Sequence, residues 1–302
     1  MGRPAVTGWA GPAFLGWTLI AALGCAPARG PVAALAPAPL PAGRGQFTLA
    51  GPEPITVFTY KPAGYAGGPL LVVFHGVGRN AADYRDHAIA MAERFQAMVA
   101  APLFDAERFR TERYQMGGVL RKGEPQPPDR WTFAFVPRLV ERIRTLEGRP
   151  GLPYYLIGHS AGGQFVERMA AFLPGAARRI VAVNPGTDLF PTGELRFGYG
   201  FGGLPPALAG DAALRAYLAA PLTLYLGTGD TVADKDFDGT ATAMRQGRSR
   251  LERGRACFEM ARKLAADKQW PFGWRKVELP GVGHSASRMF AGAQVEDALF
   301  GD

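Results

Sequence analysis

Cysteine and histidine are scarce in this chain: two of the first and four of the second in 302 residues. Cys25 lies in an N-terminal segment expected to be removed or lipidated, which leaves Cys257 alone. A mature chain with one cysteine forms no intrachain disulfide and no cysteine-based metal site. Charge is also sparse, at 20% of residues against 47% apolar, a balance that excludes a disordered protein. The formal net charge of +8 raises the question of a nucleic-acid partner. No nucleic-acid motif accompanies it, and the basic residues crowd into 245–262, "RQGRSRLERGRACFEMAR". That segment reads as the solvated face of an amphipathic helix. No nucleic-acid partner is therefore expected.

No apolar run is long enough to span a bilayer. The most apolar stretch, "PAFLGWTLIAALGC" at 12–25, follows Arg3 and precedes a Pro/Ala-rich tract, "APARGPVAALAPAPLPAGRG" at 26–45. A basic start, a short apolar core and small residues after it describe an export signal over residues 1–28. The expected cut follows "APA" at 26–28. Alternatively "ALGC" at 22–25 is similar to a bacterial lipobox, with Cys25 acylated, the one expected route to a membrane. Residues 29–45 read as a stiff linker, and 46–302 as one catalytic domain. The protein is expected to be exported: periplasmic, secreted or lipid-anchored.

Strand-like runs alternate with helical patterns after the linker. "QFTLAG" and "ITVFTYKP" read as an opening antiparallel pair, and "PLLVVFHG" at 69–76 as a strand buried on both faces. A helical pattern over 81–98, a strand "MVAAPLF", charged surface residues 105–130 and a helix in "WTFAFVPRLVERIRTLEG" follow. Then come the strand "YYLIGHS", a helix over 161–172, "RRIVAVNPG", an irregular insert over 187–221, "LTLYLGTGD", the arginine-rich helix, "WRKVELPGVGHS" and a last helix. The alternation implies a mostly parallel eight-stranded α/β sheet, helices on both faces and the insert between strands 6 and 7.

Function in such a sheet gathers at the carboxyl ends of the strands. "GHSAG" at 158–162 fits the G-x-S-x-G turn that lifts a serine between strand and helix, making Ser160 the candidate nucleophile. A serine nucleophile needs a base. His159 is too close to fold back onto Ser160, whereas His284 closes the last strand on a glycine-rich turn. Asp230 closes "LYLGTGD" and falls between the two, in the chain order Ser, Asp, His. Asp234, Asp236 and Asp238 crowd the same loop as less anchored candidates, and Asp188 is a fifth candidate for the acid. The backbone N–H groups of Ala161 and of Val77, in "FHGVGRN", are the candidate oxyanion donors.

These motifs resemble the α/β-hydrolase superfamily. Within it "HGVGRNAADYRD", "GHSAGGQF" and "LPGVGH" are similar to bacterial esterases related to polyhydroxybutyrate depolymerases and feruloyl esterases. The resemblance implies a serine esterase that uses a Ser-His-Asp triad, passes through an acyl-enzyme and needs no cofactor. Peptidase, lipase, thioesterase and polyhydroxyalkanoate oligomer hydrolase are alternatives on the same fold, and a non-catalytic binding protein is a further one. The span 46–302 leaves no room for the separate binding domain of true polymer depolymerases, which argues against long polymers as substrates. Phe197, Tyr199 and Phe201, in "FGYGFGG", are candidates to line an acyl pocket. "DKDFDG" at 234–239 imitates the start of a calcium loop, but Arg245 stands where the closing glutamate belongs, so no metal is expected.

Overall fold

An unbroken apolar run has no face to offer water, so residues 69–76 can form a strand only where both sides are covered. They form β3 (Leu70–Phe74), every residue of which is buried. The computed structural model describes residues 1–2 and 38–301. Beyond residue 2 the expected export signal, with Cys25, lies outside the described residues, and so does most of the linker.

Strands β1 (Gly43–Leu49) and β2 (Ile55–Lys61) alternate between inward and outward residues, as expected at a sheet edge. The others are β4 (Met98–Pro102), β5 (Tyr154–His159), β6 (Ile180–Val183), β7 (Leu222–Gly227) and β8 (Arg275–Leu279). Their order across the sheet is β1-β2-β4-β3-β5-β6-β7-β8. The pairs β1/β2 and β2/β4 are antiparallel, and every other neighbouring pair is parallel. This is the mostly parallel eight-stranded sheet that the sequence implied.

Helices cover both faces. Leu70, Val72 and Phe74 of β3 join one apolar cluster, with α3 (Phe135–Glu147), α4 (Ala161–Phe172), α5 (Asp211–Ala219) and α6 (Arg250–Lys268) above it. Leu71 and Val73 point the other way, towards α1 (Ala81–His87), α2 (Ile89–Phe95), α7 (Ala286–Phe290) and α8 (Val295–Phe300). The alternation of side chains along one strand thus feeds two cores.

Several local expectations change. The helix read over 81–98 is two helices and stops at Gln96, whose φ of 49° ends it, so Met98 opens β4. Residues 105–130 are not simply surface, because Phe109, Tyr114 and Val119 are fully buried. The insert at 187–221 carries a short helix, Pro206–Ala209, as well as α5. The domain starts earlier than position 46: β1 begins at Gly43, and the Leu40 N–H already bonds Glu147 at 2.9 Å. The arginine-rich helix starts at Arg250, where the Ser249 side chain caps it. Its arginines are not all solvated: Arg250 and Arg253 are 2% and 0% exposed.

Candidate active site

The elbow is built from what small residues permit. Ser160 has φ 59° and ψ −117°, a conformation that costs a non-glycine residue of order 1–3 kcal/mol. It is held between β5 and α4, and its N–H bonds the Val183 carbonyl at 3.0 Å. A Cβ at Gly158 would stand 2.2 Å from the Gly162 carbonyl oxygen, and one at Gly162 would stand 2.3 Å from that of Phe74. Neither position admits a side chain, so the two glycines are what let the turn close.

The loops after β7 and β8 are laced together. The N–H of Thr228 bonds the Leu279 carbonyl, that of Gly229 bonds Val282, and that of Gly281 bonds the Thr228 hydroxyl, all at 2.8–2.9 Å. Asn184, at the end of β6, ties in the same loops: its Oδ1 accepts the Gly227 N–H at 2.7 Å and its Nδ2 donates to Gly283 at 3.2 Å. On this frame Asp230 and His284 meet, Nδ1 to Oδ2 at 2.7 Å. Asp230 is 3% exposed. That bond is the only one the imidazole makes among the described residues, so Nε2 is free for a proton. The ring of His159, next to Ser160, lies 4.5 Å from that of His284.

The loop after β3 comes close to the serine from the other side. A Cβ built at Gly76 would lie 3.7 Å from that of Ser160. Val77, the next residue, is exposed. Its N–H, and that of Ala161 at the start of α4, donate to no protein acceptor among the described residues. Unpaired N–H groups beside a serine are what a developing oxyanion needs.

Other sequence candidates sit elsewhere. Asp188 is fully buried, with its carboxyl beside Glu167 and Cys257 rather than His284. Burial, and after it the Glu167 charge, pushes its carboxyl well above the usual range. Phe197, Tyr199 and Phe201 lie in the core. They are 9%, 8% and 1% exposed and pack the insert onto the core, with Phe197 and Phe201 each 5.7 Å from Phe172. Two acids of the calcium-like loop have protein partners: Asp234 takes the fork of Arg250, and Asp238 accepts from the Tyr199 hydroxyl.

No family model matches the chain, and no curated protein does. Solved structures do match. One is a poly(aspartic acid) hydrolase from Sphingomonas sp. KT-1: 32% identity, TM-score 0.81, over 86% of this chain and all of that one. Another is a poly(3-hydroxybutyrate) depolymerase from Bordetella parapertussis: 38% identity, TM-score 0.77, over 83% of this chain and 88% of that one. The chain belongs to the α/β-hydrolases. A Staphylococcus aureus S-formylglutathione hydrolase, at 11% identity and TM-score 0.53 over 85% of this chain and 97% of its own, shares the fold.

Three further residues support this hydrolase site, and the sequence assigned none of them a role. Arg250 lies 3.5 Å from the Asp230 carboxylate while it clamps Asp234. The guanidinium of Arg253 donates to the carbonyls of Gly186, Asp238 and Gly247. Positions 250, 253, 254, 257, 261 and 265 form the buried stripe of α6, and the small residues among them were a usable signal.

His75 is the third support. Its Nδ1 donates to the Gly76 carbonyl at 3.0 Å, and its Nε2 accepts the Phe104 N–H at 3.1 Å. Acceptance at Nε2 requires a neutral ring, and burial lowers its pKa from the ordinary 6.5 to about 4. A depressed histidine contributes stability that is full above pH 6.5 and lost as pH falls towards 4, because the unfolded chain takes up the proton first. That displacement is worth about 3 kcal/mol. Urea unfolding between pH 7 and pH 4 should show this loss in the wild type and about 3 kcal/mol less of it in His75→Asn. Parallel curves for the two proteins would remove His75 from the account.

Proposed function

We propose that this hydrolase is an exported serine esterase. The carrying observation is the 2.7 Å bond between Asp230 and His284, on loops at the same sheet edge as the strained Ser160. His284 Nε2 takes the Ser160 proton as Oγ attacks the ester carbonyl carbon. The N–H groups of Val77 and Ala161 hold the oxyanion. The intermediate collapses, the alcohol leaves with the proton from His284, and an acyl-Ser160 ester remains. His284 then deprotonates a water that attacks this ester, so the acid departs and the serine is restored. Asp230 at Nδ1 fixes the tautomer and stabilises the imidazolium.

No cofactor enters these steps. The test is pre-steady-state hydrolysis of a short p-nitrophenyl ester. A burst of nitrophenol equal to the enzyme concentration is expected, from acyl-enzyme accumulation. Absence of turnover on all such esters, with cleavage of amides instead, would favour the peptidase reading.

A second reading, cleavage of longer chains, draws support from the two polymer hydrolases matched over 100% and 88% of their chains. The match over the full length of one of those solved chains supports this reading. Export is part of the proposal. Intact mass of the mature protein is expected to lack residues up to about position 28, or to begin at an acylated Cys25. An unprocessed Met1 in exported protein would contradict both routes.

A further inference from the structure

A cavity of about 620 Å³ opens between the β1–β2 turn and residues 112–138, and neither Ser160, Asp230 nor His284 lines it. Topology puts it on the edge of the sheet that carries those residues. Strand β2 runs against β4 with Val57 opposite Pro102, so the turn before β2 overhangs the carboxyl end of β4. The floor is also joined to the candidate oxyanion loop. Phe135 stands 5.7 Å from Phe104, and Phe104 stands 6.3 Å from His75, the residue before Gly76. Two ring-to-ring steps separate the cavity from that loop.

Its walls combine guanidinium groups with an aromatic floor of Trp131 and Phe135. Arg113 is used up by Glu53, in bonds of 2.9 and 2.6 Å. The side chains of Arg121 and Arg130 are exposed and make no hydrogen bond or ion pair among the described residues, unlike Arg108, Arg113 and Arg144 nearby. Arg138 has no acidic partner there but donates to the Ala50 carbonyl at 2.6 Å. Glu112 and Asp129 offset part of this charge, and the Glu112 carboxylate is already engaged by the Lys122 N–H. Positive charge is left over. Free guanidinium forks match a carboxylate in shape and charge, and an aromatic floor takes up the carbon chain between carboxylates.

We propose that this cavity is a distal subsite for carboxylate groups of an oligomeric substrate whose scissile bond lies at Ser160. The proposal rests on the esterase reading. The carboxylates are either side groups repeated along a polyanion or the free acid end of a hydroxyacid oligomer, and the guanidinium groups would recognise both.

The test uses the mature protein and the double variant Arg121→Ala/Arg130→Ala, with hydrolysis of a short neutral ester as readout. Three competitors are added: oligo(aspartate), a 3-hydroxybutyrate oligomer with a free acid end, and that oligomer capped as its methyl ester. At least one carboxylated competitor should inhibit the wild type and lose about tenfold in inhibition constant in the variant, while short-ester turnover stays within about twofold. Loss for oligo(aspartate) alone identifies side-group carboxylates, and loss for the free-acid oligomer identifies the chain end. Equal constants in both proteins, no competition by either carboxylated chain, or an equal loss for the capped oligomer overturns the subsite. Lack of short-ester turnover in the wild type would instead fell the esterase reading beneath it.

Discussion

Ser160→Ala should lower turnover of a short ester by about 10⁴- to 10⁶-fold while leaving the protein folded. The side chain makes no hydrogen bond that the fold depends on, and the strained backbone is fixed by the Val183 carbonyl and by glycines that admit no Cβ. Alanine tolerates a positive φ no worse than serine does, so stability should change little. What the variant loses is the oxygen that becomes acylated. Residual rate should come from the unpaired N–H groups and binding alone. The check is steady-state kinetics beside a thermal melt. A folded variant within tenfold of wild type would remove Ser160 from the mechanism.

Asp230→Asn should cost about 10⁴ in turnover, again with the fold intact. The amide can still occupy the pocket beside Arg250, but it offers the imidazole a donor as readily as an acceptor. Its proton is then free to sit on Nε2, and His284 loses its role as base. Asp188→Asn is the internal control. Its carboxyl lies beside Glu167 and Cys257, so turnover should stay within about tenfold, near one kcal/mol of barrier. A crippled Asp188→Asn beside a nearly silent Asp230→Asn would reverse the assignment of the acid.

The comparison of these two aspartates shows where the sequence was legible. Strand ends are marked locally: an apolar run stops, a turn residue follows, and the chemistry is beside it. That is why Ser160, Asp230 and His284 could be named together, and why the eight strands were found. What could not be read is how loops pack on each other. Asn184 joins two loops distant in sequence, and His75 clamps a strand end to Phe104 through a tautomer that no spacing encodes. The arginines of α6 misled for a related reason. Charge normally marks the solvated side, but backbone carbonyls from three loops converge on Arg253 and carry the cost of its burial. The aromatic triplet at Phe197, Tyr199 and Phe201 reads alike whether it lines a pocket or fills a core.

Mass spectrometry of peptides from the protein treated with a fluorophosphonate tests the central claim most directly. The account predicts a single adduct, on the peptide that contains Ser160, formed at a rate that collapses in Asp230→Asn. An adduct on another serine, such as Ser285 beside the base, or intact ester hydrolysis by protein that takes up no label, would contradict it.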